Sequence, residues 1–523
     1  MSIRKPLSEW LAIWAVLALT VDLFAVSLVS AAPAPGDNPA EEIDGYEKAD
    51  AYIELQMDRL NVPGAALAIV QGDKIVHLRG FGKARPDGEV PSPQTPFFVG
   101  SVTKSFTALA VMQLVEAGKM ELDAPVQRYL PWFRVADPQA SAEITVRHLL
   151  NQTSGLPLLP GWITLADFDD RPDACERQTR ALATLRLSRP VGSTFEYSNT
   201  NYNVLGLVVE AASGESYEAY IENHIFAPLE MTHSYTARAK AEQNGLAMGH
   251  RYWFSYPVST PNLPAPRGSV ASGQLISSAE DMSHYLIAHL NEGRYGNVQI
   301  LSPEGIDEMH RSAVKANLMG VGGQYGMGWF TEEDSQKRII WHDGIVPDFM
   351  AYIALLPEER RGLVLLFNAD HFLMTLALLK AGAGVTTLLA GDQPGPVRFR
   401  FIPWVLRGLL LIPFLQIVGV VTALRFLSRW RRDVNRRPSR RRKWMRHILL
   451  PLIPNALVAL TLLLVGGRLG GFILLYAPDF AWIAWISGTF AVTWMFLRTG
   501  LILWILREPL PARPLVQPSG LSA

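Results

Sequence analysis

Two textures follow one another along the chain. From Ala40 to about Ala390, apolar and polar positions mix at helical and strand periods, with short β-rich runs separated by Gly and Pro. This is the pattern of a folded domain with its own core, placed over residues 41–392. Within it, VTKSFTALAVMQLVEAG (102–118) sets Val102, Phe106, Leu109, Leu114 and Val115 on one helical face and ends at Gly118. WHDGIVPDFMAYIALLP (341–357) reads as two β-rich runs around a turn. Beyond Gly395 come three strongly apolar stretches, at 400–427, 448–471 and 481–506. Each is long enough to cross a hydrocarbon core of about 30 Å. Three buried helices of a soluble domain are the alternative, but such helices seldom run this far without a polar face.

Charge gives these stretches a direction. The 428–447 loop, with its flank from Arg425, is dense in Arg and Lys and holds a single acid, Asp433. Under the positive-inside rule it is cytoplasmic, so the first span starts outside and the last ends inside, where Arg507 and Arg513 lie. At the other end, Arg4 and Lys5 precede an apolar run from Trp10 to Val29 and the small residues Ser30, Ala31 and Ala32. Residues 1–32 thus read as a signal peptide or a retained N-terminal anchor. Pro33 crowds one cleavage site, while Asp22 is costly for an anchor. Both ends of the chain put the domain on the periplasmic or extracellular side of a cytoplasmic membrane crossed several times.

Composition mostly excludes. Lys plus Arg and Asp plus Glu number 48 each, so net charge points to no nucleic-acid partner, and the basic cluster lies between apolar spans. Cys175 is the only cysteine, which rules out an internal disulfide, a CxxC pair and a thiolate-rich metal site; it reads as a small apolar filler. The 11 histidines form no HExxH, and His284 with His289 is one step off an i, i+4 pair. No metal and no cofactor is expected. The oligomeric state has no signature.

A serine attacks a carbonyl only if a neighbour takes its proton, and a lysine three residues later on a helix can do so from the same face. Ser101 and Lys104 have that spacing, but so do Ser2 with Lys5 and Ser312 with Lys315. Context separates them. Ser101 follows Gly100 and opens the apolar helix, where free N–H groups and the dipole favour developing negative charge. Lys104 can act as base only if burial or neighbours favour its neutral form. An N-cap serine with a solvated lysine is the competing reading of this pair alone.

At this point the chain resembles the serine β-lactamases and penicillin-binding proteins, particularly their class C and low-molecular-weight branch. That family orders Ser-x-x-Lys, Tyr-x-Asn about 100 residues on, and Lys-or-His-x-Gly on a later strand. Here they match Ser101 to Lys104, Tyr197-Ser198-Asn199 and His342-Asp343-Gly344. Decoys at Tyr295-Gly296-Asn297 and Lys380-Ala381-Gly382 lack the flanks the family shares, which here are FFVGSVTKSFTA, HLLNQTSGLP, FEYSNTNYNVLG, SSAEDMSHYL, YGMGWF and FNAD. The resemblance implies an α/β (α+β) fold of the β-lactamase/transpeptidase type, an antiparallel sheet flanked by helices, with a helical subdomain carrying Tyr197. It implies acylation of Ser101 and hydrolysis of the acyl-enzyme, with Tyr197 against Ser101 and Lys104. Which of Lys104 and Tyr197 is the base stays open. Asn199 would donate to the substrate's amide oxygen. The backbone N–H groups of Ser101 and Ile345 would form the oxyanion hole.

His342 stands where β-lactamases usually carry lysine, as in esterase and peptidase members. A histidine charged only part of the time grips a carboxylate weakly. Asp343 would repel a substrate carboxylate if it faces the site, and would be a turn residue if it faces away. The expectation is a membrane-tethered hydrolase acting as peptidase or amidase on D-amino-acid-containing peptides, either cell-wall peptide or an exported acyl-peptide. The layout is also similar to that of periplasmic peptidases that remove an N-acyl-D-asparagine cap from exported prodrugs and have three C-terminal spans. An esterase or weak β-lactamase is the rival enzyme. A sensor that binds penicillin or cell-wall fragments without turnover is the rival of another class. A transporter is poorly supported, since the spans carry few charges beyond Arg498.

Overall fold

The structure is a computed structural model; it describes residues 45–507 apart from 167, 262–265, 319–320, 335–336, 397–400 and most of 433–469. Residues 1–32, most of the basic loop and nearly all of the 448–471 stretch therefore lie outside the described residues.

The chain enters through α1 (Gly45–Leu60) and forms the hairpin β1 (Gly64–Gln71) and β2 (Lys74–Gly82). A 3-10 turn, Gly100–Val102, leads into α2 (Thr103–Glu116). A helical region follows, including α3 (Leu158–Leu165), α4 (Asn199–Ser213), α5 (Val270–Gly273) and α6 (Ala279–Leu290). The chain then returns to the sheet with β3 (Val314–Leu318), β4 (Val321–Gly326), β5 (Trp329–Asp334), β6 (Lys337–Val346), β7 (Phe349–Leu356) and β8 (Arg361–Phe367), and α7 (Thr375–Leu389) closes the domain. The eight strands pair in the order β2-β1-β8-β7-β6-β5-β4-β3, every neighbour antiparallel. This is the α/β fold expected of the β-lactamase/transpeptidase type.

The central strands are buried on both faces, and their alternation sorts side chains between two cores. Ala66, Ala68, Val70, Ala351, Ile353, Val364 and Leu366 face the layer containing α2, α4 and α6. Ala65, Leu67, Ile69, Met350, Ala354, Leu363 and Leu365 face α1 and α7. The turn expected in 341–357 joins β6 to β7, with Asp348 at φ 70°. Helix α2 departs from the expected single apolar face: Thr103, Lys104, Ser105 and Thr107 are as buried as Phe106 and Leu109. It runs between the sheet and the helical region, so polar side chains on every face need partners. Thr107, for example, donates to the Ala271 carbonyl at 2.7 Å.

Among the described residues, two C-terminal helices are long and apolar enough to cross a membrane, spanning Ile402–Arg432 and Pro478–Ile505. The first has two parts. In α8 (Ile402–Gly408), Ile402 and Leu406 join the core beside α1 and α7, and Arg407 Nε donates to Ser255 Oγ at 2.9 Å. The beginning of this apolar stretch thus also packs on the domain. A break before Pro413 starts α9 (Leu411–Arg432), whose end runs into the basic stretch. After α10 (Gly470–Tyr476), α11 (Pro478–Arg507) lies alongside α9. Gln416 donates to the Ser487 carbonyl at 3.0 Å, and Leu427 and Trp430 cluster with Ile502 and Ile505, so α9 and α11 run in the same direction.

Candidate active site

Backbone contact builds the centre of the site. Gly100 has φ +54°, which turns the chain out of its extended run, and a Cβ there would sit 2.4 Å from the Ile345 nitrogen. A Cβ on Gly344 would lie 1.8 Å from the Val99 carbonyl oxygen and 3.0 Å from the Ser101 nitrogen. With no side chain at either position, the 3-10 turn and β6 meet backbone to backbone, which brings together the peptide groups of Ser101 and Ile345.

Ser101 is half-buried and Lys104, one turn deeper, is fully buried. Lys104 Nζ is 2.9 Å from Ser101 Oγ and donates to the Ser272 carbonyl of α5 at 2.7 Å. It also lies 4.9 Å from the Tyr197 ring centre and 5.8 Å from that of Tyr202. Burial holds the ammonium well below its ordinary pKa, with Asp343 opposing the shift. Tyr197 is hydrogen-bonded to the Ser101 side chain, and burial raises its phenol well above the usual range. Burial thus favours the neutral amine of Lys104 and the neutral phenol of Tyr197, with the Ser101 hydroxyl beside both.

His342 is buried, with its ring centre 6.4 Å from Tyr197 and 5.3 Å from Phe330. Its Nδ1 donates to the Asp343 carbonyl, and Nε2 has no partner among the described residues. Burial, reinforced by Lys104, pushes its pKa down to about 3. Where part-time charge near neutrality was expected, burial favours the neutral imidazole, because a cation there would be desolvated. Asp343 is half-buried and near enough to Lys104 for each to shift the other, and burial pushes its carboxyl up to about 6. Of the two orientations left open for Asp343, the electrostatics favour the one toward the lysine.

Asn199 opens α4 and is nearly buried; its Nδ2 contacts the Gly161 carbonyl of α3 at 3.4 Å, while Oδ1 has no partner among the described residues. Its amide is thus engaged with α3 rather than standing free. The loop before it is held by Gln152, which is fully buried with φ 58°. Gln152 Oε1 accepts from the Ser198 backbone N–H at 2.9 Å and from Asn201 Nδ2 at 2.5 Å, and Ser154 Oγ donates to Asn201 Oδ1 at 2.5 Å. The HLLNQTSGLP flank is therefore the support on which Tyr197 is hung. In YGMGWF, a Cβ on Gly328 would lie 2.9 Å from the Lys104 carbonyl oxygen, so this turn packs on the lysine's own helix.

The decoys are placed elsewhere. Ser312 precedes strand β3, Tyr295 to Asn297 form a surface hairpin, and Lys380 is in α7. Among the described residues no cluster of three or more His, Cys, Asp or Glu could hold a metal ion.

A profile of the family described as Beta-lactamase matches residues 49–382, which includes every element of this site. The chain belongs to the β-lactamase family. Relatives include Protein flp of Staphylococcus aureus (strain MW2), 27% identical over 87% of this chain and 92% of that protein. Penicillin-binding protein 4 of Amycolatopsis lactamdurans is 29% identical over 59% of this chain and 81% of that protein. Among solved structures, the octameric penicillin-binding protein homologue from Pyrococcus abyssi superposes with a TM-score of 0.60 at 30% identity, covering 67% of this chain and 78% of the other.

Three contributors have no mark in the motif reading. The Ser272 carbonyl is a backbone atom, 168 residues from the lysine it receives. Gln152 was visible only as one letter of a flank. The segment containing α10, read as the end of one span and the link to the next, packs against the rim of the site: Trp162 and Ile345 pack against the cluster formed by Phe472, Leu475 and Tyr476.

Proposed function

We propose that the protein is a membrane-tethered serine hydrolase that works through an acyl-enzyme on Ser101. The observation that carries this is the buried amine 2.9 Å from Ser101 Oγ. A desolvated Lys104 favours its neutral form, so its lone pair can take the Ser101 proton as Oγ attacks the carbonyl carbon. Tyr197, kept as a phenol and bonded to Ser101, then passes a proton to the departing group. The N–H groups of Ser101 and Ile345 receive the negative charge on the carbonyl oxygen. For deacylation the same groups act in reverse, with water in place of the leaving group.

A neutral His342 and an adjacent Asp343 offer no cation for a free carboxylate. This favours acyl donors without a terminal carboxylate next to the scissile bond: amides and peptides of N-acylated D-amino acids, with esters second and β-lactams poorly turned over. The parallel run of α9 and α11 supports the expected topology. Two parallel spans require the chain to return between them, the task expected of 448–471, and both then start on the side of the hydrolase domain, opposite the basic loop.

The test is a panel of D-alanyl peptides, N-acyl-D-amino acid amides, a chromogenic β-lactam and short-chain esters offered to the full chain in detergent, with Ser101→Ala as control. Turnover that survives Ser101→Ala overturns the nucleophile. A stable adduct on Ser101 that is never released favours the sensor.

A further inference from the structure

Helix α10, which leads into α11, is wedged against the catalytic domain. The Phe472 ring stacks on Trp162 with centres 4.8 Å apart and planes 5° from parallel, and meets Phe372 edge-on at 6.4 Å. Tyr476 stacks on Phe472 from the other side at 4.4 Å, and its carbonyl accepts the Phe372 backbone N–H at 2.8 Å. One turn on, His371 Nε2 and Asp479 Oδ1 are 2.9 Å apart, both wholly excluded from solvent. Asp479 also accepts the backbone N–H groups of Phe254 and Phe480.

What α10 touches gives this docking its meaning. Ile345, whose N–H is the second expected oxyanion donor, packs on the cluster of Phe472, Leu475 and Tyr476. Trp162 follows Gly161, whose carbonyl holds the Asn199 amide, and a Cβ on Gly161 would lie 2.8 Å from the Asn199 nitrogen. The aromatic cluster therefore braces both sides of the cleft: β6 at Ile345 and α3 at the Asn199 contact.

We infer that Phe472 and Trp162 are positioning residues for acyl transfer, so that the C-terminal helices are part of the catalytic unit as well as its tether. The inference rests on Ser101 being the nucleophile. Displacements on the order of an ångström in an oxyanion donor reduce turnover about 100-fold while leaving binding largely intact. The stack should thus govern a rate constant more than an affinity.

The experiment uses the full chain in detergent and a fluorophosphonate probe, whose phosphoryl oxygen draws on the same donors as an acyl carbonyl. Phe472→Ala is expected to lower the maximal labelling rate of Ser101 by about 10- to 100-fold with the half-saturating probe concentration within about twofold. Phe472→Tyr, which keeps the ring, is expected to restore the rate. Simple loss of folded protein would reduce the labelled fraction without changing the rate of the remainder, and that outcome, like an unchanged rate, overturns the inference. If Phe472→Ala does not fold, Phe472→Leu, which keeps the helix apolar but removes the stack, is read in the same way. Absence of labelling in the unsubstituted protein would instead overturn the Ser101 assignment itself.

Discussion

Replacing Gly344 by alanine is the most economical perturbation of the site, because it adds one methyl group where two backbones touch. That methyl would stand 1.8 Å from the Val99 carbonyl oxygen, against a closest real approach of about 3.0 Å, so β6 must retreat from the nucleophile turn by about 1.2 Å. The obstacle is backbone on both sides, so no rotamer change relieves it. β6 is held in the sheet by β7 over Ile340 to Val346. The retreat therefore concentrates at residues 343–345 and carries the Ile345 N–H away from Ser101. Loss of one oxyanion donor reduces kcat about 100- to 1,000-fold. Strain of this size in a packed interior destabilises by about 1–3 kcal/mol. Steady-state kinetics on the best substrate of the panel, with a thermal melt alongside, reads both quantities. A Gly344→Ala protein that melts within a degree or two of the parent and keeps kcat within about threefold would refute the backbone-contact account of the oxyanion site.

Other consequences follow from the same geometry. His342 has a folded pKa of about 3 against an ordinary 6.5, so the unfolded chain binds the extra proton first and stability falls as pH drops from 6.5 toward 3. His342→Gln should flatten that part of a stability-against-pH curve, measured by chemical unfolding in detergent. Asp343 has the opposite sign: its folded pKa of about 6 lies above the ordinary 3.8, so its contribution is complete below 3.8 and is lost as pH rises through 6. Asp343→Asn should remove that loss and shift any acidic limb of the kcat/KM profile. Gln152→Ala strands the Ser198 N–H and the Asn201 amide, and should lower kcat about tenfold through Tyr197 with a smaller change in KM. Asp479→Ala leaves the buried His371 Nε2 and the half-buried N–H groups of Phe254 and Phe480 without their acceptor, at about 1–3 kcal/mol for the buried one. Limited proteolysis should then cut first between the domain and α11.

How much of this was legible depended on where each contact lies along the chain. Ser101 and Lys104 are one helical turn apart, so local spacing carried them, and the order of Tyr197 and His342 behind them was readable as a motif. The alternation of β7 and β8 between two cores could not be resolved from apolar runs buried on both faces. The burial that favours a neutral His342 could not be read from the sequence, because the surrounding aromatics, Tyr197, Tyr325 and Phe330, converge only in the fold. The docking of the first apolar stretch on the domain was hidden for a similar reason. Ile402 and Leu406 are as apolar as the residues after them, and only the docked core shows where they go.

The pairing of β1 with β8 also determines when the protein can fold. Ala65 lies opposite Phe367, so the centre of the sheet joins the beginning of the domain to its end across about 300 residues of chain. During N-to-C synthesis β1 must wait, one edge unpaired, until β8 has been made. Only about 35 residues then separate β8 from α8. Sheet closure and the arrival of the first apolar helix therefore fall close together in time, and a chain arrested before Phe367 should be recognised by quality-control proteases as a domain that never acquired its middle.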